Sequence, residues 1–410
     1  MEYVIIGNST AAVGCIEGIR TVDKTGKITV ISDEKHHAYS RPLISYLLCG
    51  KTTEDRMKYR PDSFYSDNNV DTLLGETVET VDTAKKQVVT VSGIHIKYDR
   101  LMVATGSSPF LPPAEGYDEV ENKFTFMTLD SAKALRDALT PESRVLVVGA
   151  GLIGLKCVEG ILDLCCSITV IDLADRVMPS VLDGYGAELV KKHIEAHGVK
   201  FILSDCVVKY ENGTAFTKGG KEIGFDVLIT AVGVRPNVSL VKDAGGRVER
   251  GIVTDERCAT SLDSVYAAGD CTESFDVSCG ERRILAILPN AYMQGFTGGV
   301  NMAGGNSVYK DAIPQNAIGF FGYHMITAGS VGKEERVYKN GDTYKKLMIK
   351  DGRLIGFIMI GNIERAGIYT GLIRNKTPLD TIDFELIAEK PQLMAFSNVD
   401  RKKMLGGAKQ

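Results

Sequence analysis

The feature that most constrains this chain is "RVLVVGAGLIGLK" from Arg144, an apolar strand, a glycine turn and a helix, with Gly149, Gly151 and Gly154 spaced as G-x-G-x-x-G. Asp172 follows 23 residues after Gly149, just beyond the strand-like run Ser167-Ile168-Thr169-Val170-Ile171. Each member has its own physical task. Gly149 makes the tight turn, Gly151 lets the backbone approach a pyrophosphate, and Gly154 permits close helix–strand packing. Leu152 and Ile153 open the helix, whose unpaired N–H groups favour an anion. Asp172 is placed to accept from a ribose 2′-OH. It repels a 2′-phosphate by about 4 kcal/mol per unit-charge pair at ~4 Å and an effective dielectric near 20. The turn therefore favours NADH over NADPH.

The same device occurs earlier as "EYVIIGNSTAAVG", with Gly7, Ser9 and Ala12 in the three positions. Each copy runs into a second strand, Lys27-Ile28-Thr29-Val30-Ile31 in the first, and each later reaches a strand closed by glycine: "YDRLMVATGSSP" with Gly106 and "FDVLITAVGVRP" with Gly233. The repeat thus covers whole units. Strands alternating with helices imply parallel βαβ sheets, whose ligands lie beyond the carboxyl ends of the strands. Ser9 adds only a small side chain and a hydroxyl able to donate to phosphate, and Glu34 stands where a ribose would be held. Taken alone, this first turn fits a ligand-free turn as well as a dinucleotide site.

A chain of 410 residues exceeds what one hydrophobic core usually serves, so several domains are expected. A formal net charge of −4 gives no polyanion bias, and Arg401-Lys402-Lys403 is too short to change that; nucleic acid is not an expected partner. The amino terminus runs into Tyr3-Val4-Ile5-Ile6 with no basic stretch before it, and no apolar run approaches the ~20 residues of a membrane span. The expectation is a cytoplasmic protein without a membrane partner. Nine scattered cysteines with no C-x-x-C read as reduced thiols, and neither Cys165-Cys166 nor Cys271 and Cys279 fit zinc or iron–sulfur ligation. No metal is expected, and His36-His37 read as a solvated loop.

Seven segments in order, "GNSTAAVG", "YSRPLISY", "VATGSSP", "GAGLIGLKCVEG", "VGVRPN", "VYAAGD" and "LPNAYMQG", resemble the FAD-dependent pyridine nucleotide–disulfide oxidoreductases along nearly the whole chain. The resemblance is closest to the branch of NADH:rubredoxin reductases and the NADH-binding parts of nitrite reductases. It implies an α/β fold with two Rossmann-like dinucleotide-binding domains, for FAD and NAD, plus a C-terminal α+β domain. The implied boundaries are 1–110 and 237–312 for FAD, 111–236 for NAD, and 313–410 for an interface domain that pairs subunits in many members.

The resemblance also implies the contacts. Gly7, Ser9, Thr10, Ala11 and Glu34, with Thr105 and Gly106, fall to FAD. Arg41 and Pro42 of the "YSRP" turn lie against the isoalloxazine ring, where a guanidinium favours the reduced flavin. Asp270 holds the ribityl chain, and the helix opening at Pro289, Asn290 and Ala291 aims its positive end at the flavin pyrimidine. NADH falls to Gly149, Gly151, Leu152, Ile153, Gly154, Asp172 and Gly233. Read without the resemblance, "YAAGD" is an ordinary strand end and Arg41 a solvated cation.

Hydride transfer from NADH to flavin needs no separate acid, base or nucleophile, so no catalytic side chain is assigned. The electron acceptor stays open. A small carrier such as rubredoxin leads, because flavin accepts two electrons together and releases them singly. The rivals are a single-cysteine NADH oxidase, peroxidase or coenzyme A-disulfide reductase using Cys49 of "SYLLCG", and an electron-input subunit of a larger complex. Ser45 and Cys49 share one face of an expected helix. Against catalysis by Cys49, Thr10 stands where the oxidase and peroxidase branch usually has histidine, and a C-x4-C pair is absent. Lys156 replaces the Glu that many relatives carry near the nicotinamide. In the tail, "KKLMIKDGRLIGFIMIGN" predicts a hairpin about Asp351-Gly352, and Ile363 to Arg374 a helix; a homodimer through this domain is expected.

Overall fold

Tyr3, Val4, Ile5 and Ile6 are all buried, because the strand Glu2–Ile6 is central in a parallel sheet with a core on each face. Tyr3 and Ile5 join Ile16 and Ile19 of the helix Thr10–Val22 on one side. Val4 and Ile6 join Val103, Val265 and Ile252 on the other. The strand order is Val265–Ala267, Arg100–Val103, Glu2–Ile6, Lys27–Ser32, Val70–Leu74, all parallel. The structure is a computed structural model describing residues 1–405. These fall into two compact units: Met1–Met178, Glu195–Ser274 and Arg282–Lys310 form one, and Pro179–Ile194, Phe275–Glu281 and the chain from Asp311 onward form the other.

The first unit contains a second parallel sheet of the same plan, ordered Lys200–Leu203, Ser167–Asp172, Arg144–Val148, Val227–Thr230, Lys123–Phe124. The two copies agree at the level of single hydrogen bonds. Gly7 N–H donates to Ile31 O at 2.7 Å and Gly149 N–H to Ile171 O at 2.8 Å; Ala104 N–H donates to Ile6 O at 2.8 Å and Ala231 N–H to Val148 O at 2.7 Å. Each copy also carries a three-stranded antiparallel meander, Val78–Asp82 with Gln87–Thr90 and His95–Lys97, and Val207–Glu211 with Thr214–Thr217 and Glu222–Gly224. Where the chain leaves the first sheet and returns, Ser107–Pro109 and Val234–Pro236 pair antiparallel. This is the doubly wound α/β architecture expected from the repeat.

The second unit is built on an antiparallel sheet ordered Gln315–Phe320, Tyr323–Gly329, Arg353–Ile360, Thr343–Lys350, Glu334–Asn340. The expected hairpin is present: Asp351 and Gly352 take φ of 50° and 66°, the left-handed pair that a tight two-residue hairpin needs. The helix begins later than its pattern predicted, at Ala366 and not Ile363, because Arg365 takes φ 58° and cannot belong to it. With the sheet, the helices Ala366–Arg374 and Phe384–Glu389 close a core of Leu347, Phe357, Tyr369 and Ile387. Residues 406–410 of the segment 313–410 lie outside the described residues. Among the described residues no helix is long and apolar enough to cross a membrane.

Candidate cofactor site

Two helices point their amino termini at one cavity. The helix Thr10–Val22 and the helix Leu288–Met302 run side by side and parallel, and glycines set how closely they approach. A Cβ on Gly14 would stand 2.3 Å from Tyr292 O and one on Gly18 2.2 Å from Phe296 O; reciprocally, Gly295 would meet Ala11 O at 2.0 Å and Gly299 Cys15 O at 2.2 Å. Four glycines at i, i+4 spacing therefore bring backbone against backbone. Thr10 and Ala11 from one helix, and Leu288 and Ala291 from the other, line a cavity of about 300 Å³. No side chain caps either helix, so first-turn N–H groups and two parallel dipole ends face it.

The rest of the lining brings most of the expected FAD residues together: Gly7, Ser9, Thr10, Ala11, Arg41, Thr105, Gly106, Asp270 and Ala291. Pro42, Pro289 and Asn290 are not in the wall, and neither is Cys49. Glu34 stands behind it. Its carboxylate pairs with Arg41 and accepts from Tyr39 Oη at 2.6 Å, while Arg41 donates to Met127 O at 2.8 Å. Glu34 is thus engaged by protein, and the cation it holds is what reaches the cavity. Asp270 is half-buried, and its desolvation raises its pKa, an effect partly offset by the charge of Arg41.

Sequence reasoning missed several members of this site. Asn237 clasps the first exit turn: Thr105 Oγ1 donates to Asn237 O at 2.7 Å, and Asn237 Nδ2 donates to Thr105 O at 2.9 Å. Glu76, Thr77 and Val78 also line the cavity, with no spacing signal to mark them. His36 and His37 are not simply solvated. His36 Nε2 contacts Asp130 Oδ1 at 2.7 Å, the His37 ring lies tilted against Tyr65 at 4.7 Å between centroids, and Tyr65 Oη donates to Asn8 Oδ1 at 2.8 Å, so this loop anchors the first glycine turn.

At the second turn the three glycines separate by cause. Gly149 has φ 118° and its Cβ would lie 2.3 Å from Ala231 O; a Cβ on Gly154 would lie 2.1 Å from Gly149 O. Gly151 has nothing within 4 Å and an ordinary φ of −81°. No protein atom requires glycine there, so the open space serves whatever approaches from outside. The first copy tolerates Ser9 for the same reason, with φ −123° at the matching position. Asp172 accepts from Ala150 N–H at 2.6 Å and Ala174 N–H at 2.8 Å, which holds its carboxylate beside the turn. Leu152 and Ile153 begin the helix Leu152–Ile161, and Gly233, with φ 131°, turns the chain at the end of the sheet.

Cys49 ends the short helix Ile44–Leu48 and does not lie within it; its Sγ is 3.6 Å from Tyr46 O. That helix packs on Leu152–Ile161, where a Cβ on Gly160 would be 2.9 Å from Ser45 O. Lys156 pairs with Glu159 and lies 4.7 Å over the Tyr46 ring. A carboxylate is therefore present one helical turn beyond the position where relatives place it.

Compared with known proteins, residues 1–295 match the profile of the family described as pyridine nucleotide-disulphide oxidoreductase. The chain belongs to this family. Residues 314–377 match the rubredoxin NAD+ reductase C-terminal domain. The chain is 30% identical over 400 residues, 94% of each chain, to the NADH-dependent phenylglyoxylate dehydrogenase subunit epsilon of Aromatoleum evansii. It is 32% identical over 300 residues to the rubredoxin-NAD(+) reductase of Pseudomonas putida, covering 72% of this chain and 78% of that one. The crystal structure of the covalent putidaredoxin reductase–putidaredoxin complex shares the fold, with a TM-score of 0.88, 22% identity and coverage of 95% and 96%.

As a pyridine nucleotide-disulphide oxidoreductase the chain is an FAD-dependent enzyme that uses NADH. The cavity fits that cofactor on its own chemistry. The hydroxyls of Thr10 and Ser107, both in the lining, are buried with no protein partner, which is costly unless a ligand supplies one.

Proposed function

We propose that the chain passes electrons from NADH through FAD to a small electron-carrier protein of the rubredoxin type. The observation that carries this reading is the match of residues 314–377 to the domain that rubredoxin NAD+ reductases bear. In this reading residues 1–110 and 237–312 hold FAD, 111–236 hold NADH, and 313–410 form the C-terminal domain through which a cytoplasmic homodimer assembles.

The side chains then divide the work as follows. Gly7, Ser9, Thr10 and Ala11 present N–H and hydroxyl donors to the flavin pyrophosphate, and Asp270, with Thr105 and Gly106 nearby, orients the ribityl chain. Glu34 keeps Arg41 directed at the cavity. Pro42 stiffens the turn after it, and Pro289, Asn290 and Ala291 deliver the helix end. Gly149, Gly151, Leu152, Ile153 and Gly154 receive the NADH pyrophosphate, Asp172 its ribose, and Gly233 leaves room at the sheet edge. FAD, when bound, accepts a hydride and gives up electrons singly, which suits a one-electron iron–sulfur acceptor.

The test is an acceptor panel with purified protein: rubredoxin, oxygen, peroxide and coenzyme A disulfide in parallel, each with NADH. Rubredoxin is expected to turn over fastest. Faster turnover with peroxide or the disulfide would move the protein to the single-cysteine reductases. A second reading, an electron-input subunit, is favoured by the full-length likeness to a dehydrogenase subunit. It predicts rapid flavin reduction by NADH with slow reoxidation by every acceptor in the panel.

A further inference from the structure

Asp270 faces the cavity at the end of the turn Ala268-Gly269-Asp270, whose Gly269 C=O accepts from Thr272 N–H at 2.9 Å. The Gly269 N–H is held by a buried amide on the neighbouring helix. Gln294 lies one turn beyond Ala291 and is 4% exposed. Its Oε1 accepts from Gly269 N–H at 2.9 Å. Its Nε2 donates to Thr272 Oγ1 at 3.0 Å, and that hydroxyl donates to Gly269 O at 2.8 Å. The same Nε2 also reaches Ser274 Oγ. The amide orientation is fixed by this network, since only an oxygen can face the Gly269 N–H.

One side chain thus grips both the N–H and, through Thr272, the C=O of the residue preceding Asp270. Gly269 has φ 87°, a left-handed conformation that suits glycine, and the Gln294 amide secures its N–H while Thr272 secures its C=O. Replacing Gln294 by an apolar side chain would leave the buried Gly269 N–H without its acceptor and remove a donor from the Thr272 and Ser274 hydroxyls. The grip also joins Asp270 to the helix whose amino terminus enters the cavity, so the carboxylate and the dipole end hold one spacing.

We propose that Gln294 is a positioning residue for Asp270, holding its carboxylate at the flavin site through the Gly269 peptide. This rests on the assignment of Asp270 to the flavin given above. The test is a double-mutant cycle in FAD affinity, read by titrating FAD into flavin-free protein and following its fluorescence, for wild type, Asp270→Ala, Gln294→Leu and the pair. Gln294→Leu alone is expected to weaken binding roughly 10- to 100-fold. Added to Asp270→Ala it is expected to change affinity by no more than about twofold, because nothing is left to position. Losses that multiply, with wild type binding FAD normally, would overturn the proposal alone. Wild-type apoprotein that takes up no FAD would instead overturn the flavin-site reading and the proposal with it. If Gln294→Leu does not fold, the isosteric Thr272→Val enters the same cycle: it removes the hydroxyl that links Gln294 to Gly269 O and keeps the backbone bond from Thr272 N–H, and multiplicative loss there overturns the proposal equally.

Discussion

Asp172 carries the expected choice of NADH over NADPH. Its distance from Gly149 marked it as the ribose residue, and its carboxylate stands beside the turn, held by Ala150 and Ala174 N–H. Next to it Leu173 is 70% exposed, so a larger polar group there displaces no core. The pair Asp172→Ala with Leu173→Arg removes the repelling anion and adds a cation. It should narrow or reverse the NADH over NADPH preference in flavin-reduction kinetics; an unchanged preference would remove Asp172 from the ribose. Cys49→Ser should keep most NADH-to-dye and NADH-to-rubredoxin activity, since Cys49 is outside the cavity wall and beyond the last turn of its helix. Loss of carrier reduction with flavin reduction intact would put the thiol on the electron path. What a residue does was legible where spacing along one strand–turn–helix fixed it. It was not legible for Glu34, whose partners Tyr39 and Arg41 meet it only when the loop folds, nor for Gln294, whose partners lie 20 to 25 residues away on another element.

Elements show the same division. Both βαβ copies were legible, because four consecutive apolar residues flanked by a glycine turn leave few alternatives to a buried parallel strand. Short pieces such as Ser107–Pro109 were not, since their pairing with Val234–Pro236 depends on where the second sheet returns the chain. The glycines separate fold from ligand at this scale. Gly149→Ala and Gly295→Ala force a Cβ to within 2.3 Å and 2.0 Å of a carbonyl oxygen, and each should cost about 1–3 kcal/mol or more in denaturant unfolding. Gly151→Ala meets no protein atom and should leave the unfolding midpoint unchanged while weakening NADH binding; a destabilised Gly151→Ala protein would mean that the turn is structural only. The central strand of the second sheet carries a pH signature as well. Asp226 accepts from the guanidinium and the backbone N–H of Arg144, which lower its pKa to about 2. A folded-state pKa below the unfolded value near 3.9 gives stabilisation that is complete above about pH 4 and disappears as the pH falls toward 2. Asp226→Asn should remove that part of the acid dependence in equilibrium unfolding, and an identical profile would show the pair to be neutral.

For the molecule as a whole, we infer that one unit binds both a flavin and a nicotinamide dinucleotide, and that the flavin reduced by NADH is emptied by a small one-electron carrier. The two sheets agree bond for bond at their first turns, two helix ends and the Asp270 carboxylate meet one cavity, and buried hydroxyls at Thr10 and Ser107 await a partner. Sequence alone pointed to two dinucleotide turns and to a small carrier such as rubredoxin ahead of its rivals, and it left the acceptor open because no spacing rule links the surface residues that an acceptor touches. The most direct measurement is anaerobic stopped-flow mixing of the flavin-loaded protein with NADH, then of the reduced protein with oxidised rubredoxin, following the flavin band. On this reading NADH bleaches the band, NADPH does so more slowly, and rubredoxin restores it faster than air-saturated buffer does. A band that NADH leaves unbleached, or one restored by oxygen but not by rubredoxin, would contradict it.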